Sequence, residues 1–193
     1  MKPERAIRRC FGTGDPLMEA YHDLEWGVPL RDDRALFEKL LLDSFQAGLS
    51  WRTVLYKRES FRRAFHGFDP ERIARYTARD RNRLLADAGI IRNRLKIDAA
   101  ISNARAYLQL QDELGSFADY LWAFTGGRTL RPRAARSWRQ VPTHSRESDV
   151  MSKDLQARGF HFVGTTICYA FMQAVGMVND HTTDCYRHAD LER

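Results

Sequence analysis

Apolar positions in this chain recur at the three- and four-residue spacing of amphipathic helices. In DDRALFEKLLLDSFQAGLSW, Leu36, Phe37, Leu40, Leu41 and Phe45 fall on one side of a helical wheel. Gly48 is a stop for that helix, and Ser50 can cap the next one, through WRTVLYKRESFRRAF. DPLMEAYHDLEW and DPERIARY each place an acceptor before a proline, Asp15–Pro16 and Asp69–Pro70, which marks a helix start. RNRLLADAG reads as a helix ending at Gly89, and NRLKIDAAISNARAYLQLQDEL as a long one ending before Gly115. SFADYLWAF, SDVMSKDLQAR and TTICYAFMQAV add further helices. The pattern contains no convincing alternating strand pairs, no internal repeat and no low-complexity segment. The expected fold class is all-α, with one helical domain over residues 1–193.

Composition narrows the setting. The 193 residues are 44% hydrophobic and 29% charged, the range of a globular chain able to bury a core. No apolar run approaches the ~20 residues of a membrane helix, and the basic start MKPERAIRRC is followed by no apolar stretch. Neither a membrane partner nor a secretory signal is expected. Three widely separated cysteines argue against a disulfide framework and for a reducing, cytoplasmic setting. The net charge of +6 and pI near 9.5 point toward nucleic acid. Arg128, Arg131, Arg133, Arg136 and Arg139 cluster in RTLRPRAARSWR with no acid among them, and Arg92, Arg94 and Lys96 form a second group. Either cluster is equally compatible with a solvated surface.

NDHTTDC puts His181 four residues before Cys185, which on a helix stacks two soft-metal ligands on one face. Near the other end, Cys10 and His22 complete a Cys2His2 set, sufficient for a closed tetrahedral site with no open position. Such a site would be structural. Joining residue 10 to residue 185 closes nearly the whole chain and removes about 4–5 kcal/mol of unfolded-state entropy. The spacing is not that of a standard zinc finger, His188 is a competing ligand, and Cys168 in TTICYAF reads as a core residue.

Asp43 lies three residues after Leu40, on the edge of an apolar stripe, with Trp51 just past that helix. Tyr21 and Trp26 flank His22 on the helix begun at Asp15. One carboxylate among aromatic rings suits a pocket for a flipped, electron-poor base, where each stacked ring contributes roughly 1–3 kcal/mol. The same residues are equally what a helical core is made of.

AYHDLEWGVP, FQAGLSWRTVL, FDPERIA, DAGIIRNRLKI, NARAYL and RGFHFVGTTICYAFMQAVGMVNDH resemble the 3-methyladenine DNA glycosylase I family. The resemblance runs from Cys10 to Cys185 and is weakest over about 126–147. It implies the helix-hairpin-helix DNA glycosylase fold, with the hairpin at about 79–113. It also implies one structural Zn2+ that ties the termini (10–22 and 181–185) through Cys10, His22, His181 and Cys185. The hairpin would hold a DNA phosphate at Gly89, helped by Arg92, Arg94 and Lys96. The damaged base would meet Asp43 and Tyr21 by hydrogen bonds and Trp51 by stacking, with Trp26 nearby.

The implied activity is hydrolysis of the N-glycosidic bond of 3-methyladenine in alkylated double-stranded DNA. The implied enzyme is a monofunctional monomer. Three departures stand out. A member of the family carries Glu where this chain has Asp43, which withdraws the carboxylate by about 1.5 Å. Met18 stands where that member has an aromatic residue, and the tryptophan after its first zinc cysteine has no clean match. Two rivals remain at this point: a lyase using Lys96 as an amine nucleophile, and a zinc-stapled DNA-binding module without turnover.

Overall fold

The computed structural model describes residues 7–132 and 135–191. Helix α1 (Pro16–Leu24) starts as its sequence dictates: the Asp15 side chain accepts from the Met18 amide and Pro16 occupies the first turn. Asp32 caps α2 (Asp33–Gln46), Ser50 caps α3 (Trp51–Ala64), and Asp69 caps α4 (Pro70–Ala74). Helix α5 (Ala78–Ala86) opens with a capping box, in which Asp80 accepts from the Thr77 amide. Asn93 caps the long α6 (Arg94–Leu114), which stops at Gly115, where φ is 82°. Then follow α7 (Phe117–Ala123), a short 3-10 turn at Trp138–Gln140, α8 (Arg146–Ala157), α9 (Thr165–Ala174) and α10 (Tyr186–Asp190). No strand occurs among the described residues; a single parallel bridge joins Leu130 to Val178. None of these helices is long and apolar enough to cross a membrane. The all-α expectation holds, and the Gly48 stop falls two residues after α2 with φ 76°.

The main core gathers the stripe of α2 (Leu36, Phe37, Leu40, Leu41, Phe45) against α6 and α9, with Phe61, Phe65, Phe117 and Phe171 filling between them. A second, smaller cluster contains Tyr21, Trp26, Leu55 and Ala174, and Trp51 packs against both. Two backbone approaches bring these halves together. Gly176, at φ 75°, ends α9 so tightly that a Cβ there would lie 2.5 Å from the Pro29 nitrogen. Across this contact the Leu30 amide donates to Val175 O and the Gly27 amide to Ala174 O. The exit of α1 is thereby held on the end of α9.

Asp33 does for α7 what a cap does, from a different helix. Its carboxylate accepts from the Phe117 and Ala118 amides at 3.0 and 2.7 Å, and from Gln111 and Ser116. Burial pushes this carboxyl up, but the four donors outweigh it and hold it below its ordinary value. A depressed carboxyl stabilises the fold above its unfolded pKa and loses that contribution as pH falls through the folded value. Asp33→Ala should therefore lower unfolding free energy by about 2–3 kcal/mol at pH 7. In urea titrations the gap from wild type should shrink below about pH 4. A pH-independent gap would show that the charge on Asp33 is irrelevant.

Candidate functional site

The residues from the two ends of the chain meet. Cys10 Sγ lies 3.2 Å from His22 Nε2 and 3.2 Å from His181 Nδ1, and Cys185 Sγ lies 3.3 and 3.4 Å from the same two nitrogens. All four donor atoms fall within 4.8 Å of one another, and three of the four residues are buried. Tetrahedral sulfur and nitrogen ligands at about 2.3 and 2.0 Å from one cation stand on the order of 3.5 Å apart, so the set fits a single soft divalent ion. Neither His188 nor Cys168 belongs to it; Cys168 Sγ is in the core beside Val163 O.

The expected helical stacking of His181 and Cys185 does not occur. Residues 179–184 are non-helical and Cys185 is the N-cap of α10, so the two ligands converge through a loop. Outer contacts fix the rings. His22 Nδ1 pairs with Asp23 Oδ1 at 2.8 Å, and Arg9, bonded to both Asp23 oxygens, holds that carboxyl well below the usual range. His181 Nε2 faces Trp26 O at 3.3 Å. Each histidine thus turns its other nitrogen toward the sulfurs. Contact between the two sulfurs pushes the Cys185 thiol down and the Cys10 thiol up.

Beside this group opens a cavity of about 250 Å³. Helix α1 contributes Tyr21, α2 contributes Asp43, and the first residue of α3 is Trp51, whose ring centroid lies 5.1 Å from that of Tyr21. Trp26 lines it too, 5.1 Å from Phe11 and 5.7 Å from Trp138. The four residues expected here by sequence, Tyr21, Trp26, Asp43 and Trp51, are therefore brought together. Asp43 is 1% exposed and is the cavity's only carboxylate among the described residues. Its Oδ1 is bonded to Lys39 Nζ, while Oδ2 and Trp51 Nε1 are buried without a hydrogen-bond partner. Burial pushes the Asp43 carboxyl up, opposed by the charge and hydrogen bond of Lys39. Burial likewise pushes the Tyr21 phenol up, with the nearby Asp43 charge adding to it, so it stays protonated.

Sequence reasoning missed Lys39, Phe11, Trp138 and Gln173, all of which line this cavity. Lys39 was readable as an i,i+4 partner of Asp43. Trp138 sits in the irregular Arg-rich stretch, where no periodicity marks it. Gln173 is bonded to the buried Asp180, as is the Tyr169 hydroxyl, both at 2.7 Å. This links the cavity wall on α9 to the residue preceding His181.

The hairpin residues divide. Arg92 and Arg94 are exposed at the start of α6. Lys96 is not: it is 7% exposed, and its ammonium caps the end of α2 by donating to Phe45 O and Ala47 O at 2.8 and 2.6 Å. This corrects its assignment to a phosphate and removes it as a free amine nucleophile. Gly89 also differs from expectation. Helix α5 ends at Ala86, the Gly89 amide donates to Asp87 Oδ1 at 2.7 Å, and the need for glycine is close packing. A Cβ there would meet Ser60 Cβ at 3.0 Å. Arg128, Arg131, Arg136 and Arg139 are exposed, and Arg133 lies outside the described residues.

The chain matches the family described as methyladenine glycosylase over residues 11–188. It is 53% identical over 180 residues to DNA-3-methyladenine glycosylase 1 of Escherichia coli K12, spanning 93% of this chain and 96% of that protein. A crystal structure of 3-methyladenine DNA glycosylase I aligns with a TM-score of 0.90 at 54% identity, covering 93% of this chain and 98% of that one. The Staphylococcus aureus 3-methyladenine DNA glycosylase I, solved to describe its recognition of 3-methyladenine, aligns at 0.88 with 38% identity over 92% and 94%. Identity along nearly the full length and the shared backbone give one conclusion: the chain belongs to the methyladenine glycosylase family.

Proposed function

We propose that this protein excises 3-methyladenine from alkylated double-stranded DNA by hydrolysing the bond between base and sugar. The observation that carries this is Asp43: a buried carboxylate with one oxygen unpartnered, in an aromatic cavity of about 250 Å³. Methylation at N3 gives adenine a positive charge, which weakens its glycosidic bond and makes it a leaving group that needs no proton. The protein's work is then extrusion and selection. Flipping costs a few kcal/mol, less for a damaged base. Asp43 accepts a hydrogen bond from the exocyclic amine and favours the cation in a site poor in water. Tyr21 assists as a neutral phenol, Trp51 stacks, and Trp26 closes the wall. As the C1′–N9 bond breaks, water adds to the sugar carbon and its proton leaves to solvent.

The α5–α6 pair is the helix-hairpin-helix of this reading, with Arg92 and Arg94 flanking a phosphate at the start of α6. That contact positions the protein without reading sequence. With Lys96 tied to two carbonyls, the reaction is monofunctional hydrolysis. Cys10, His22, His181 and Cys185 hold one structural zinc ion. Held by two thiolates and two imidazoles, a zinc ion there would have no position left for water and would join the ends of the chain.

Purified protein should release free 3-methyladenine from methylated duplex DNA, read by chromatography of the liberated bases. A protein that binds this DNA and releases nothing is a binding module instead. Asp43→Asn, nearly isosteric and uncharged, should slow single-turnover release by roughly 100-fold or more. An unchanged rate would remove Asp43 from the chemistry. Mass spectrometry should find one zinc per chain, and Cys185→Ser should lower the thermal midpoint by roughly 10 °C. A zinc-free protein with an unaltered midpoint would refute the staple.

A further inference from the structure

Both features that would hold a cationic base are already engaged by an ammonium. Lys39 Nζ bonds Asp43 Oδ1 and sits 4.0 Å from the centroid of the Trp51 ring. The two residues are one turn apart on α2, so the helix backbone itself sets the pairing. The Lys39 side chain is 13% exposed and lines two cavities. One holds Asp43. The other, of about 270 Å³, is lined by the carboxylates Glu25 and Glu38, which are paired with Arg58 and Arg62. Asp43 Oδ2 stays buried and without a partner.

We propose that Lys39 is a positioning residue for excision: its ammonium fixes Asp43 through Oδ1 as a charged carboxylate and leaves Oδ2 to accept from the flipped base. This rests on the excision reading above. An isolated carboxylate at 1% exposure takes up a proton rather than remain charged. The resulting acid would have no attraction for a cation, and its O–H would oppose the donor amine of the base. Lys39 opposes this without occupying Oδ2, although burial still leaves the carboxyl above its ordinary value and pushes the ammonium itself down. The Trp51 face also holds the ammonium, 4.0 Å from the ring centroid.

The groups facing this pair from every neighbouring helix leave the charge balance to Lys39. Helix α1 offers the neutral Tyr21 phenol and Glu25, the latter held by Arg58 of α3. Helix α2 itself adds Glu38, paired with Arg62 of α3. Helix α9 offers the amide of Gln173 and the Cys168 thiol, which burial pushes up to about 12. No other cation lines the Asp43 cavity among the described residues.

The test is the pH dependence of single-turnover 3-methyladenine release from methylated duplex DNA, from pH 5 to 9, for wild type, Lys39→Met and Lys39→Arg. Lys39→Met should move the acid limb upward by at least about one pH unit, roughly tenfold in rate at pH values below both limbs, with recovery toward wild type near pH 9. Lys39→Arg should keep the wild-type limb. In parallel, a carbon-13 NMR titration should show Asp43 binding its proton at higher pH in Lys39→Met, or in Lys39→Gln if the methionine variant fails to fold.

Four results would overturn the proposal: superimposable profiles, a loss of equal size at every pH, faster excision in Lys39→Met, or a borohydride-trapped DNA adduct on Lys39. The third would make Lys39 a competitor that the lesion displaces, and the fourth a nucleophile. If wild type releases no 3-methyladenine, the excision reading fails. The NMR titration still decides whether Lys39 charges Asp43.

Discussion

A charge that is removed from water must find its compensation inside the protein, and the arrangement around Asp43 follows from that constraint. The carboxylate sits at 1% exposure on the margin of the α2 stripe, where apolar packing leaves no solvent to stabilise it. One of its oxygens is satisfied by Lys39 and the other is not. A site half-satisfied in this way costs stability in the free protein and favours a ligand that brings both a donor and positive charge. The aromatic rings alone would accept any flat base. On the proposed reading, the unpartnered oxygen would supply the discrimination by charge.

The four residues that could hold a metal and the cavity form one construction. His22 follows Tyr21 on α1, so whatever fixes the histidine fixes the phenol beside it. His181 follows Asp180, which holds Gln173 of the cavity wall. Trp26 touches both: its ring lines the cavity and stands 4.5 Å from the His181 ring, and its carbonyl faces His181 Nε2. A metal clamping the ends of the chain would therefore hold α1 against α9, where the Gly176–Pro29 contact leaves no room for adjustment. The stability gained by such a closure would be delivered next to the residues that line the cavity.

What the sequence made legible was local or charge-marked. Asp15, Ser50 and Asp69 cap helices because capping depends on neighbours three residues away. The α2 stripe shows its period directly. The four metal donors could be named from their chemistry, but not the loop that brings His181 and Cys185 together. Lys96 and Gly89 were misplaced for a common reason. Sequence marks a lysine as charged and a glycine as permissive, yet Lys96 turns inward to the carbonyls ending α2 and Gly89 is needed for its lack of bulk beside Ser60. Phe11 and Trp138 escaped notice because they reach the cavity from irregular segments, through tertiary packing that no periodicity encodes.

The central claim is that Asp43 reads the positive charge of the extruded base. It is tested most directly by a crystal structure of the wild-type protein with 3-methyladenine bound. The account predicts the base ring stacked on Trp51 with its exocyclic amine about 3 Å from Asp43 Oδ2. A base bound elsewhere, or one turned so that Asp43 meets no donor, would contradict it.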